Sequence, residues 1–193
     1  MEGLTTYNFR TNWNRCYGGM DKYFTPFISN RHMNSRERND VLPEHNVGMY
    51  TVPQILTNKA EEFLSLAEQL AGYGYHEVNL NLGCPSGTVV ARNRGAGFLG
   101  TPRELETFLD EIFEKCPLKI SIKTRIGMEC PDEWAPLLKI YQKFPMKELI
   151  IHPRLQKEGY KGTPHLEAFA EAVEALQCPL CYNGDITSPE SLT

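Results

Sequence analysis

The chain has 193 residues, 41% hydrophobic and 23% charged, with a net charge of −4. That length gives one domain, or two small ones, and the composition excludes a disordered chain, a collagen-like repeat and a coiled-coil rod. No apolar run approaches the roughly 20 residues that cross a bilayer, Met1–Thr6 carries no basic or apolar leader pattern, and the acidic balance sets a globally basic nucleic-acid protein aside, leaving room for a local basic patch.

In chain order, residues 5–17 read as a helix, and Tyr23–Ile28 and Val47–Val52 as strands. Asn58–Leu70 is an amphipathic helix with Phe63, Leu66 and Leu70 on one face, capped by Asn58 with Glu61 three residues on. His76–Leu82 alternates with period two, as a strand does. Thr101-Pro102-Arg103-Glu104 is a capping-box pattern that opens a helix to about Lys115. Strand 118–123, helix 132–144, strand 148–152, helix 166–176 and strand 179–182 follow, and Ser188-Pro189-Glu190 opens another helix. Six strands recurring every 26 to 41 residues, mostly separated by helices, define a repeated β/α unit and a parallel sheet. An open doubly wound sheet and a (β/α)8 barrel both fit. Polar residues gather after four of the strands, which favours the barrel, because only a closed ring brings successive strand ends together. A complete barrel needs about 250 residues and eight strands. The expectation is therefore an incomplete TIM barrel of about six units, lacking its first and last strands.

Six cysteines are scattered along the chain, as free thiols in a reducing compartment would be. Cys178-Pro-Leu-Cys181 is a CxxC without a second ligand pair, so it reads as part of a buried strand and no metal site is expected. Asn79-Leu80-Asn81-Leu82-Gly83-Cys84-Pro85 places a thiol between Gly and Pro at a strand end. There it can act as nucleophile or general acid, although composition alone favours an inert turn cysteine. Gly95-Ala-Gly-Phe-Leu-Gly100 matches GxGxxG, but it lies far from the strand and ahead of the helix, so it reads as a close-packed glycine loop. Lys123 ends an apolar strand; facing inward it needs an anion or an electron-rich ligand, and facing the rim it needs nothing. A lone His152 is more often structural than functional. Asn183-Gly184-Asp185 suits either a plain turn or an anion.

Together these segments resemble the tRNA-dihydrouridine synthase family of flavin-dependent (β/α)8 barrels, in order along all 193 residues. The resemblance rests on NLNLGCP at 79–85, VVARNRGAG at 89–97, IKTRIG at 122–127, HPRLQKEGYKG at 152–162 and NGDI at 183–186, with VPQIL at 52–56 in support. It implies FMN as cofactor, NADPH as reductant, a cytoplasmic location, and reduction of the C5–C6 double bond of a uridine in tRNA. By the same resemblance, Cys84 is the acid that protonates C5, Asn81 holds the uracil edge, and Arg154 sits on the substrate side. Gln54, Lys123 and His152 contact the flavin ring, and Asn183, Gly184 and Asp185 lie near its ribityl-phosphate tail. Arg92, Arg94, Arg125, Arg154, Lys157 and Lys161 fall on loops of that face, where they could meet RNA phosphates.

Where the family begins with a strand and an Ala-Pro-Met step, Met1–Thr5 looks like the residues just after that proline. The expectation is a partial catalytic barrel over 1–193, without the family's helical tRNA-binding domain. Two other readings stand beside it. One is an FMN barrel acting on a free pyrimidine or enone; the other is a tRNA-binding fragment without activity.

Overall fold

The computed structural model describes residues 3–188. Helix α1 (Tyr7–Cys16) precedes β1 (Tyr23–Ile28), α2 (Ser35–Val41) and β2 (Thr51–Ile55). Then come α3 (Ala60–Gly72), β3 (Glu77–Leu82), the short α4 (Gly87–Val90), α5 (Pro102–Lys115) and β4 (Lys119–Arg125). The chain continues through α6 (Trp134–Tyr141), β5 (Glu148–His152), α7 (Leu166–Ala175) and β6 (Leu180–Tyr182). The six strands form one sheet in sequential order, and every neighbouring pair is parallel. Among the described residues β1 and β6 do not pair, so this is an incomplete (β/α) barrel. The expected helix from Ser188 falls on residues 189–193, outside the described ones.

Alternation along the strands separates two environments. Val78, Leu80 and Leu82 of β3, Ile120 and Ile122 of β4, and Leu149 and Ile151 of β5 join the helices in one core. Their partners there include Phe63, Leu66 and Leu70 of α3, Leu105, Phe108 and Leu109 of α5, and Leu137 and Tyr141 of α6. The other face of the sheet carries Glu77, Asn79 and Asn81, paired in register with Lys119, Ser121 and Lys123. This polar face is the barrel interior. Near its N-terminal end Lys22 Nζ bridges Glu77 at 3.1 Å and Glu148 at 2.9 Å, and the Tyr50 hydroxyl donates to Glu77 at 2.6 Å. Burial and the carboxylate of Glu77 push the Tyr50 phenol up to about 12.

Several boundaries differ from expectation. The second strand begins at Thr51, not near 47, because Gly48 adopts φ +74° and the Met49 amide bonds back to Asn46. Gln54 is consequently inside β2. The fourth strand continues to Arg125, so Lys123 and Arg125 share its inner face. Asn58 does not cap α3; its side chain reaches the Arg92 carbonyl at 3.3 Å. Thr101 is the N-cap of α5, yet its hydroxyl bonds Phe98 O and Asn93 and not the helix amides. A complete capping box stands instead at Asn34 and Glu37, on the unexpected helix α2.

Candidate active site at the strand ends

Asn81, the inward residue at the end of β3, organises the turn after it. Its Oδ1 accepts from the amides of Gly83 and Cys84, both at 3.0 Å, and its Nδ2 donates to Gln54 Oε1 at 2.7 Å. With both lone pairs of Oδ1 used, the side chain fixes where the Cys84 thiol stands. The turn is held from three more directions. Arg125 Nε donates to Gly83 O at 2.9 Å, Ala96 N to Cys84 O at 3.0 Å, and Gln156 Nε2 to Pro85 O at 3.1 Å. The thiol is partly exposed.

The glycine loop that looked like a dinucleotide fingerprint is packing material for this turn. Gly95 has φ +56°, and a Cβ there would stand 2.9 Å from Cys84 O and 3.0 Å from Cys84 Cβ. The close-packed reading of that loop holds. The cysteine needs glycine as its neighbour on two counts, backbone conformation and space.

Gln54, Lys123, Ile150, Cys181 and Asn183 line a cavity of about 450 Å³ on the inner face of the sheet, together with Phe9 and Trp13 of α1. Lys123 therefore faces inward. Its ammonium makes no hydrogen bond or ion pair with any described residue, and burial together with the neighbouring Arg125 pushes it down to about 8. A largely charged, desolvated, unpaired lysine in a cavity wall is suited to an anionic or electron-rich ligand.

His152, at the end of β5, is 5% exposed. Burial lowers its pKa first, and Arg125, Lys123 and Arg154 lower it further, to about 4. The ring is neutral at pH 7. Arg154 is 1% exposed and bonds the His152 ring at Nε2, 3.1 Å away, and both carboxylate oxygens of Asp185. Asp185 is held below the usual carboxylate range by that guanidinium. Gly184 has φ +154°, and a Cβ there would stand 3.3 Å from His152 Cδ2.

The residues expected at the site thus form two hydrogen-bonded groups on one end of the sheet. One is Gln54, Asn81 and Cys84; the other is His152, Arg154 and Asp185. Gln54, Lys123 and Asn183 share the cavity, and Arg125 spans between the groups. It bonds the Cys84 turn and Leu155 O, and its guanidinium lies 5.4 Å from the centre of the Tyr160 ring. Tyr160 is 75% exposed, and its ring centre lies 5.9 Å from that of His152. Arg125, expected on this face only as a phosphate-facing loop cation, and Tyr160, to which the sequence reading gave no place, both belong to this cluster. Strand parity two residues from Lys123 pointed to Arg125; nothing local in the sequence pointed to Tyr160. Of the cations expected on loops facing phosphates, Arg92, Lys157 and Lys161 are exposed, whereas Arg94 is tied to Glu62 and Ser29 O, Arg154 is buried, and Arg125 is buried at the end of β4 and not on a loop. Among the described residues no group of three or more His, Cys, Asp or Glu could hold a metal, and no helix is long and apolar enough to cross a membrane.

Parallel β/α units with their polar chemistry collected at the strand C-termini define a barrel-type enzyme scaffold. The family model of dihydrouridine synthase (Dus) matches residues 1–193, and the chain belongs to that family. It is 30% identical to the tRNA-dihydrouridine(16) synthase of Pseudomonas putida, over 96% of this chain and 60% of that protein. It is 33% identical to the probable tRNA-dihydrouridine synthases of Staphylococcus epidermidis and Staphylococcus aureus, over 70% of this chain. Those matches span 43% and 42% of the two relatives' lengths.

Proposed function

We propose that residues 1–193 form the barrel part of a flavin-dependent enzyme that reduces the C5–C6 double bond of a uridine in tRNA, with FMN as cofactor and NADPH as reductant. The observation that carries this reading is the cysteine turn, buttressed from four directions, at the same strand ends as the unpaired Lys123. Family membership and the relatives' names support the substrate.

The cavity fits a flavin in its chemistry. It offers apolar walls, the free Nε2 donors of Gln54, and a lysine ammonium in want of negative charge. Lys123, Gln54 and His152 would hold the ring, and Asn183 and Gly184 would lie toward the phosphate tail. FMN bound there would supply the reducing equivalent that saturates C6 of the uracil, replenished by NADPH. Cys84 Sγ would then give its proton to C5. Asn81, whose second Nδ2–H remains unused, would hold the uracil edge beside that thiol. The exposed Tyr160 ring, beside Arg125, would meet an extruded base, and base extrusion is required because uracil cannot meet a thiol from within the stack. Arg92 and Lys161 are exposed and would meet phosphates, as would Lys157 on leaving its exposed pair with Glu129, 3.8 Å away. The location that accompanies this substrate is the cytoplasm.

The test is incubation of the chain with an unmodified tRNA transcript, FMN and NADPH, followed by nucleoside mass analysis. The reading predicts tRNA-dependent NADPH consumption and a product heavier than uridine by two hydrogens. Cys84→Ala should lower turnover about a hundredfold or more while retaining flavin. Stimulation by free uridine but not by tRNA would replace the reading with a small-molecule reductase.

A further inference from the structure

Arg154 was expected on the substrate side, yet its guanidinium has nothing left to offer a substrate. Arginine has five N–H donors, and all five are taken by the protein. Nε donates to Lys161 O at 3.1 Å, and Nη2 to Gly162 O and to Asp185 Oδ2. Nη1 donates to Asp185 Oδ1 at 3.0 Å and to His152 Nε2 at 3.1 Å.

The last bond has a chemical consequence. Arginine donates and cannot accept, so His152 Nε2 must be the unprotonated nitrogen. A neutral imidazole carries its single proton on the other nitrogen, so the ring is the Nδ1–H tautomer. Nδ1 bonds to no described residue. Of the charged groups acting on the ring, three reinforce the neutral state and one opposes it. Lys123 and Arg125 come from β4 and Arg154 from the strap after β5, and only Asp185, from the loop after β6, opposes them. The Tyr160 ring centre lies 5.9 Å from that of His152.

Taken together, the bonds of Arg154 tie three segments: the end of β5 through His152, the strap 153–165 through Lys161 and Gly162, and the loop after β6 through Asp185. The strap is pinned at its other points by Glu158, whose carboxylate accepts from Leu155 N at 2.7 Å and pairs with His165 at 2.9 Å. It also runs along 127–128 through amide bonds from Gln156 and Lys157.

We propose that Arg154 is a positioning residue: it locks His152 as a neutral Nδ1–H donor and fastens the Tyr160-bearing strap to the loop after β6. This deepens the reading of His152 as a flavin contact and rests on that reading only in saying what the donor is for. The lock itself is a property of the chain without ligand.

The experiment is nitrogen-15 NMR of the histidine rings in the ligand-free chain, with His152 assigned by its loss in His152→Gln. At pH 7 His152 is expected to show a protonated Nδ1 and a bare Nε2. Arg154→Lys keeps the charge but loses the planar fork, and should shift His152 toward the Nε2–H form that free imidazole side chains favour. FMN affinity, read by flavin fluorescence, should fall roughly tenfold in the same variant, as expected for losing about one hydrogen bond from the His152 Nδ1–H. A protonated Nε2 in the native chain overturns the proposal without any variant. So does an unchanged ring pattern in a folded Arg154→Lys chain. A substrate-side arginine would instead raise the KM for tRNA and leave the ligand-free spectrum as it was. If the lock is seen and FMN does not bind, the flavin reading fails and the positioning role stands.

Discussion

Lys123 sits in the cavity wall with its ammonium desolvated and unpaired among the described residues, an arrangement that folding alone selects against. Replacing it with a similar apolar shape should therefore separate stability from function. Lys123→Met is expected to stabilise the ligand-free chain by on the order of 1 kcal/mol in chemical denaturation and to weaken FMN binding. A variant less stable than the native chain would mean that the ammonium has a partner in the folded state. His152 gives a complementary pH signature. Its unfolded pKa is 6.5 and its folded value about 4, so between those values the unfolded chain binds more protons. The stabilisation is complete above pH 6.5 and is lost as pH falls toward 4, with a steepest slope of about 1.4 kcal/mol per pH unit. Subtracting the same curve for His152→Gln isolates the contribution from those of the carboxylates. A difference curve that is flat from pH 6.5 to 4 would show that the ring is not buried in neutral form.

At the scale of elements, the sequence was most legible where a period was long and a face was buried. Phe63, Leu66 and Leu70 on α3, and Val78, Leu80 and Leu82 on β3, follow their spacings because the core behind the sheet accepts only one face of each element. Legibility failed where a few residues decide. The start of β2 is set by Gly48, and α2 is specified by a capping box too short to show a hydrophobic period. At Asn58 and Thr101 the expected side chains were diverted to neighbouring loops that the local sequence does not reveal. The strand-end residues of the site were readable from parity and position. Tyr160 was not, because only the folded strap carries it to Arg125. The glycine loop illustrates how a motif gains meaning from what it touches. Gly95→Ala should cost on the order of 2–3 kcal/mol through left-handed strain and overlap with Cys84. It should also change the alkylation rate of Cys84 relative to the other cysteines, mapped by mass spectrometry. Equal stability and an unaltered Cys84 rate would mean that the turn is not held by this packing.

At the scale of the whole molecule, a chain of net charge −4 still exposes Arg92, Lys157 and Lys161 on loops at the strand-end face. A polar groove of about 770 Å³ beside the Cys84 turn is lined by Arg31, His32, Lys59, Arg92 and Arg94, with Glu62 as its acidic member. If RNA is the partner, affinity must fall with salt, because bound phosphates release counterions. Reversing Arg92, Lys157 or Lys161 should weaken tRNA binding for all sequences alike and flatten the salt dependence by about one ion per lost contact. Reversing Lys119, at the opposite end of the sheet, should leave it unchanged; equal effects at both ends would remove the strand-end face as the RNA surface.

The account turns on whether the cavity beneath those loops is a flavin site. The most direct measurement is titration of the purified chain with FMN, followed by absorption and fluorescence, with Lys123→Met alongside. Saturable binding near one flavin per chain, weakened by the substitution, is the predicted result. No binding to a folded chain, or binding indifferent to Lys123, would contradict the assignment of the cavity and of the chemistry built on it.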